Sequence, residues 1–202
     1  MKVLLINGSP RQNGNTAFAL SEAVKVFEGN QIQTEMVQIG TKPVQGCINC
    51  RHCKQHGVCV FKDELYLEIL EKIQNCDALI LGTPVYYAGA NGSLCAVLDR
   101  IFYSVSRFLE FKPGAAIAVC RRGGAGAAFD RLNKYFTITN MPVVPSTYWN
   151  IVYGRLPGEA AQDKEGLQTV RNLARNMVWM LNSLDREKRP AEELQAVTNF
   201  VR

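Results

Sequence analysis

Val3-Leu4-Leu5-Ile6-Asn7-Gly8-Ser9-Pro10-Arg11-Gln12-Asn13-Gly14-Asn15-Thr16 opens on an unbroken apolar run and closes on glycines and short polar side chains. A short apolar run broken by Gly-Ser-Pro reads as a strand buried on both faces. From about Asn15, the residues Leu20, Ala23, Val24 and Phe27 recur at helical spacing until Gly29-Asn30 interrupts them. Strand, small-residue turn and amphipathic helix in that order make the first half of a βαβ unit, whose strands pair in parallel.

The unit recurs along the chain. Residues 31–39 alternate like a strand, with Ile32, Met36 and Val37 expected inward, and residues 40–59 form a cysteine-rich loop before a helix over 63–75. Residues 78–82 and 115–120 read as further buried strands, 93–107 and 125–136 as helices, and Pro142-Val143-Val144 as the last strand. A final helix over 163–184 carries Leu167, Val170, Ala174, Met177, Val178 and Leu181 on one face. The expected fold is therefore α/β, a five-stranded parallel sheet with helices on both faces, since continuous apolar strands suit a sheet covered twice. Residues 1–184 are expected to form one domain, and the sequence from Asp185 to residue 202 a polar tail.

Composition narrows the function. At 202 residues, 47% hydrophobic and 20% charged, the chain has the make-up of an ordinary globular protein. No stretch reaches the roughly 20 apolar residues that cross a bilayer, and the N-terminal run lacks the shape of a secretory signal. The expectation is a cytoplasmic protein with no membrane partner. The net charge is +5, but no basic stripe with interleaved aromatics accompanies it, so no nucleic-acid partner is expected. A phosphorylated small ligand suits the same charge.

Ligands of an open α/β sheet sit at the carboxyl ends of its strands, so three loops are read closely. The first, residues 7–16, precedes a helix whose free N–H groups and positive dipole face it. Ser9, Asn13, Asn15 and Thr16 add short polar groups and Arg11 a bidentate cation, together a nest for a terminal phosphate. Neither a Gly-x-Gly-x-x-Gly fingerprint nor a Gly-Lys-Ser/Thr loop is present. The second, residues 82–92, offers Pro84, Val85, Tyr86 and Tyr87 to a planar heterocycle. The third, Arg121-Arg122-Gly123-Gly124, brings cations and free backbone. The plain alternatives are a capped helix, a core aromatic cluster and solvated surface charges.

Gly8-Ser9-Pro10-Arg11 with Gly14-Asn15-Thr16, then Thr83-Pro84-Val85-Tyr86-Tyr87 and Leu98-Asp99-Arg100, resemble the NADPH-dependent FMN reductase family of the flavodoxin-like superfamily over roughly residues 1 to 150. The resemblance implies a three-layer flavodoxin-like sandwich, FMN as cofactor, NAD(P)H as co-substrate and a homodimer. It implies that Ser9, Arg11, Asn15 and Thr16 hold the phosphate and that Pro84, Val85, Tyr86 and Tyr87 border the isoalloxazine. Arg121-Arg122 depart from it, standing where small polar residues are common.

Seven cysteines without an export signal argue against a disulfide framework. Cys47, Cys50, Cys53 and Cys59 are spaced Cys-x2-Cys-x2-Cys-x5-Cys, close enough for one loop to wrap several thiolates around an inorganic centre. The run resembles the compact motif of iron–sulfur flavoproteins, which implies a 4Fe–4S cluster near FMN. A zinc site (with His52 or His56), a redox dithiol and four unligated thiols remain open readings. Cys76, Cys95 and Cys120 read as core residues.

Functional readings follow in three classes. One is an FMN-dependent NAD(P)H oxidoreductase acting on a small acceptor such as a quinone, an azo or nitro compound, or free flavin. Another is an electron carrier in which the cluster serves a redox partner protein, and the third is a flavin-binding module without turnover. No catalytic acid or base is expected, because the flavin carries the chemistry.

Overall fold

A computed structural model describes residues 1–185, 188–191, 193, 196 and 198. The polar tail expected from Asp185 lies in good part outside the described residues. Strand β1 (Lys2–Asn7) leads into helix α1 (Asn15–Gly29), then come β2 (Gln33–Gln38), the short helix α2 (His52–His56) and α3 (Glu64–Asn75). Next are β3 (Ala78–Tyr86), β4 (Gly89–Ala90), α4 (Gly92–Val105), β5 (Gly114–Cys120) and α5 (Ala125–Ile138). The described elements end with β6 (Ile151–Tyr153) and α6 (Lys164–Ser183).

The sheet runs β2-β1-β3-β5-β6, with every pair along this path parallel. Only β4 is antiparallel, folding back on the end of β3 as a two-residue hairpin. Alternation within the strands sorts the side chains. Leu4, Ile6, Leu79 and Leu81 pack on the face covered by α3, α4 and α5. Val3, Leu5, Ile80 and Ile117 pack on the face covered by α1 and α6. All eight are fully buried, which is why these strands read as continuous apolar runs.

Two details depart from the sequence reading. Pro142-Val143-Val144 is not the fifth strand: only Val143 bridges to Gly114, and the pairing strand is Ile151–Tyr153, against Ala118–Cys120. Prolines on both sides of Val143-Val144 limit ladder donors there, whereas Ile151-Val152-Tyr153 offers β-branched and aromatic residues. Met36, expected inward, is 40% exposed on the edge strand, while Ile32 and Val37 are buried.

The strand order reverses between β1 and β3, so the crevice outside their carboxyl ends is the expected ligand position. The backbone there is tight. Gly8 N–H donates to the Gly82 carbonyl at 2.8 Å, and a Cβ on Gly8 would stand 2.6 Å from Leu94 and 2.8 Å from that carbonyl. Only glycine lets the β1 turn start this close to β3.

Candidate cofactor cleft and cysteine loop

The β1–α1 turn is built by side chains bonding back to the main chain. Asn7 accepts from Ser9 N–H at 3.0 Å and donates to Gln38 at 2.6 Å, while Gln38 donates to the Ser9 carbonyl. Ser9 Oγ accepts from Arg11 N–H at 3.1 Å, which leaves its own proton for another partner. Helix α1 starts at Gly14 with no side-chain cap, so the N–H groups of its first turn and the positive end of its dipole stay open toward the crevice.

These groups line a cleft of about 250 Å³, where Ser9, Arg11 and Thr16 meet Pro84, Tyr86 and Arg121. Arg155, from the segment after β6, reaches the same cleft. Among the described residues, none of the three arginines forms an ion pair within 4 Å. Three unpaired guanidinium groups beside an open helix N-terminus attract an anion. A larger hollow of about 830 Å³ lies below residues 106–111 and 138–140, but its charged walls are Glu110 and Glu193, the wrong sign for a phosphate.

Asn15 lines the cleft in a different role from a simple phosphate donor. Its Nδ2 donates to the Leu156 carbonyl at 2.9 Å, and its Oδ1 accepts from Ala160 N–H at 3.2 Å. Glu159 holds the same segment from within, its carboxylate accepting from Arg155 N–H at 2.6 Å and Leu156 N–H at 2.9 Å. Those two backbone donors lower the Glu159 pKa. Gly154 N–H closes onto the Cys120 carbonyl at 2.9 Å. Asn15 thus clasps residues 154–160 to the phosphate turn, which is how Arg155 reaches the cleft.

Several expected site residues lie elsewhere. Asn13 is exposed and does not line the cleft. Tyr87 is fully exposed: Tyr87 and Ala88 form the β3–β4 hairpin turn with φ of 49° and 59°, so Tyr86 faces the cleft and Tyr87 turns out. Gly123 and Gly124 do not line it either. Gly124 packs on Ala88, where a Cβ would meet the Cα at 2.7 Å, so it supports the hairpin. Cys76 and Cys120 are buried core thiols as expected, Cys120 also bordering the cleft, whereas Cys95 is only half-buried. Tyr148 and Trp149 are exposed just before β6.

The second constellation is the loop between β2 and α3. Cys47 and Cys50 are exposed, Cys53 is half-buried, Cys59 is buried, and all are free thiols. Burial pushes the Cys53 thiol up against a backbone hydrogen bond that lowers it, and Cys47, Cys59 and Cys50 add to the rise, which places these three within electrostatic reach of Cys53. Among the described residues no three His, Cys, Asp or Glu side chains converge tightly enough for a single metal ion. His52 and His56 stack on each other at 4.1 Å. A four-iron cluster spreads its ligands more widely than one ion, and an all-thiol donor set on one loop has the right chemistry for it.

The chain matches the NADPH-dependent FMN reductase family over residues 1–155. It is a member of that family. An iron–sulfur flavoprotein of Methanocaldococcus jannaschii is 35% identical over 88% of this chain and 95% of that relative. One from Methanosarcina thermophila is 30% identical over 93% and 99%. Among solved structures, the NAD(P)H:quinone oxidoreductase of Methanothermobacter marburgensis superposes with a TM-score of 0.67 at 16% identity, covering 88% of this chain and 96% of that one. The last likeness shows the shared flavodoxin-like fold. As a member of the FMN reductase family the chain is an oxidoreductase, and among its described residues no helix is long and apolar enough to cross a membrane.

The sequence reading missed Arg155 and the clasp on Asn15. A weak signal existed, since Arg155 follows Ile151-Val152-Tyr153-Gly154, the same strand-then-glycine pattern that ends β1. Taking the strand as 142–144 hid it.

Proposed function

We propose that this protein is an FMN-dependent NAD(P)H oxidoreductase, with the FMN phosphate in the cleft of Arg11, Arg121 and Arg155. The observation that carries the reading is the set of three unpaired guanidinium groups beside the uncapped start of α1. Ser9 and Thr16 supply hydroxyl donors, Arg11 a charge-assisted fork, and the Asn15 clasp brings Arg155 in from the far side. Pro84, Val85 and Tyr86 form the rim against which the flavin ring would lie. At about 250 Å³ the cleft is smaller than the roughly 300–1,000 Å³ of full small-molecule pockets, a size suited to a phosphorylated chain with its ring outside. Bound FMN would supply hydride and single-electron chemistry, and the chain's own work is to bind the phosphate and leave one flavin face open to nicotinamide and to a small acceptor such as a quinone.

A second element is favoured by a specific observation: Cys47, Cys50 and Cys59 all lie within electrostatic reach of Cys53 on one loop. We read them as ligands of a 4Fe–4S cluster, which would let the protein exchange single electrons with a redox partner as well. The names of the two archaeal relatives support this reading.

The test is a fluorescence titration of apoprotein with FMN, followed by an anaerobic absorption spectrum, iron and sulfide analysis, and NAD(P)H oxidation with a quinone. Expected are one FMN, about four irons per chain and steady oxidation of NAD(P)H. Failure to take up FMN overturns the flavin reading. FMN without iron overturns the cluster and leaves a simple reductase.

A further inference from the structure

Arg100 is a cation almost wholly removed from water, 1% exposed. Arginine is rarely buried so completely, because stripping a guanidinium of its hydration costs several kcal/mol unless partners replace the water. Its partners are unusual. Nη1 donates to the Gln45 carbonyl at 3.2 Å, and Nη2 donates to the Phe61 carbonyl and to Asp63 Oδ2, each at 2.5 Å. The guanidinium also lies over the rings of Tyr66 and Phe61, 4.9 Å and 5.9 Å from their centroids.

The two carbonyls bracket the cysteine loop: Gln45 stands two residues before Cys47, and Phe61 two residues after Cys59. Inside this bracket the only regular structure is the five-residue α2, so the loop has little of its own to hold the thiols in place. Other ties come from α4, which carries Arg100, and from the turn that follows it. The Tyr103 carbonyl lies 3.9 Å from Cys53 Sγ, and Arg107 donates to the Gly57 carbonyl at 3.1 Å. Ser104 Oγ pairs with Tyr66 OH at 2.7 Å, which in turn accepts from Cys59 N–H at 3.0 Å. Arg100 alone among these side chains grips both ends.

We propose that Arg100 is the positioning residue of the cysteine loop, its buried fork tying Gln45 to Phe61 so that Cys47, Cys50, Cys53 and Cys59 are held on one ordered loop before any iron arrives. The role needs a planar fork, and a lysine, with a point charge, does not span two carbonyls in this way. Asp63 is 44% exposed and serves as a counter-charge, whereas the grip comes from the carbonyls. The proposal rests on the cluster reading for its purpose, but the preformed loop is measurable without iron.

The experiment compares wild type, Arg100→Lys, Arg100→Met and Asp63→Asn, each loaded with FMN and free of iron. Thiol-reagent labelling of Cys53 and Cys59, resolved by peptide mass spectrometry, reads loop opening. Reconstitution with ferrous iron and sulfide then gives iron content and the low-temperature EPR spectrum of the reduced protein. Both Arg100 variants are expected to label Cys59 about tenfold faster or more, because charge-assisted bonds that hold the loop shut are gone. Asp63→Asn, which removes the counter-charge but keeps both carbonyl bonds, is expected to label faster than wild type and clearly slower than either Arg100 variant. Arg100→Lys, where it takes up iron, is expected to show a broadened EPR spectrum, a signature that lower global stability would not produce. If Arg100→Met fails to fold, Arg100→Lys decides. Labelling by Arg100→Lys within twofold of wild type overturns the proposal. Absence of iron in wild type overturns the cluster reading and leaves the labelling to decide the role of Arg100.

Discussion

Arg11 and Asn15 sit four positions apart at the start of one helix and do different work. Arg11 is exposed, points into the cleft and pairs with no acid among the described residues, so its charge is free for a ligand. Asn15 is tied at both ends of its amide to residues 154–160. For Arg11→Ala the expected loss of FMN affinity is about ten- to a hundredfold, the range of one charge-assisted hydrogen bond at about 1.5–3 kcal/mol. Asn15→Ala is expected to weaken FMN by less, about three- to tenfold, by releasing the segment that carries Arg155. In a double variant with Arg155→Ala, the Asn15 effect then largely disappears, whereas the Arg11 effect persists. Fluorescence titration of wild type, the three single variants and the two double variants checks this, and additive losses for Asn15 and Arg155 would show that no clasp couples them. The phosphate turn was legible in the sequence because its residue types and its place between strand and helix dictate its chemistry. Tyr87 and Asn13 were not, because a one-residue step in a hairpin or turn swings a side chain from cleft to solvent, and adjacent Tyr86 and Tyr87 look alike in sequence.

Elements owe their legibility to burial. Strands β1, β3 and β5, buried on both faces, announced themselves as apolar runs. Strand β6 did not, since it is three residues long with only Val152 fully buried, and Val143-Val144 nearby is a competing apolar pair. Helix α6 was read from its apolar face alone, and its polar face adds a tie that periodicity could not reveal. Glu22 of α1, 10% exposed, accepts from Lys25 at 2.5 Å and from Arg171 of α6 at 2.7 Å. The bond from Lys25 lowers the Glu22 pKa first, burial pushes it back up, and Arg171 lowers it further. The folded value lies below the ordinary 4.5, so the pair stabilises fully above that pH and the contribution is lost as pH falls through the folded value. Glu22→Gln is expected to cost roughly 1 kcal/mol near neutrality, or about 2–4 °C in melting temperature for a chain of this size. As pH falls through that lowered value the gap between variant and wild type should close. Thermal melts from pH 8 downward check it, and a gap that does not narrow as the acid is titrated would mean lost packing, not lost charge.

At the scale of the molecule, helix α4 joins the two candidate sites. Its N-cap Asn91 is held by Thr83, whose Oγ1 accepts from Asn91 N–H at 2.9 Å beside the cleft-lining Pro84, and its other end carries Arg100 and Tyr103 against the cysteine loop. With 14 residues it spans about 21 Å, a rigid strut between flavin rim and thiols. The cleft itself draws on segments after β1, β3, β5 and β6, and none of the four clustered cysteines lines it. The sites are therefore linked in placement and separate in their contacts, so removing one should leave the other intact. In the double variant Cys47→Ser/Cys50→Ser two exposed thiols change outside both hydrophobic cores. Such surface changes stay within about 0.5 kcal/mol, which limits the shift in melting temperature of the iron-free proteins to about 2 °C. FMN affinity is expected to stay within twofold of wild type while iron uptake is lost. Iron, titration and melting measured on one preparation distinguish the cases. A variant that keeps its iron removes these thiols from the ligand set. A variant that loses FMN together with iron would mean that α4 transmits the state of the cysteine loop to the flavin rim, and that the two sites work as one.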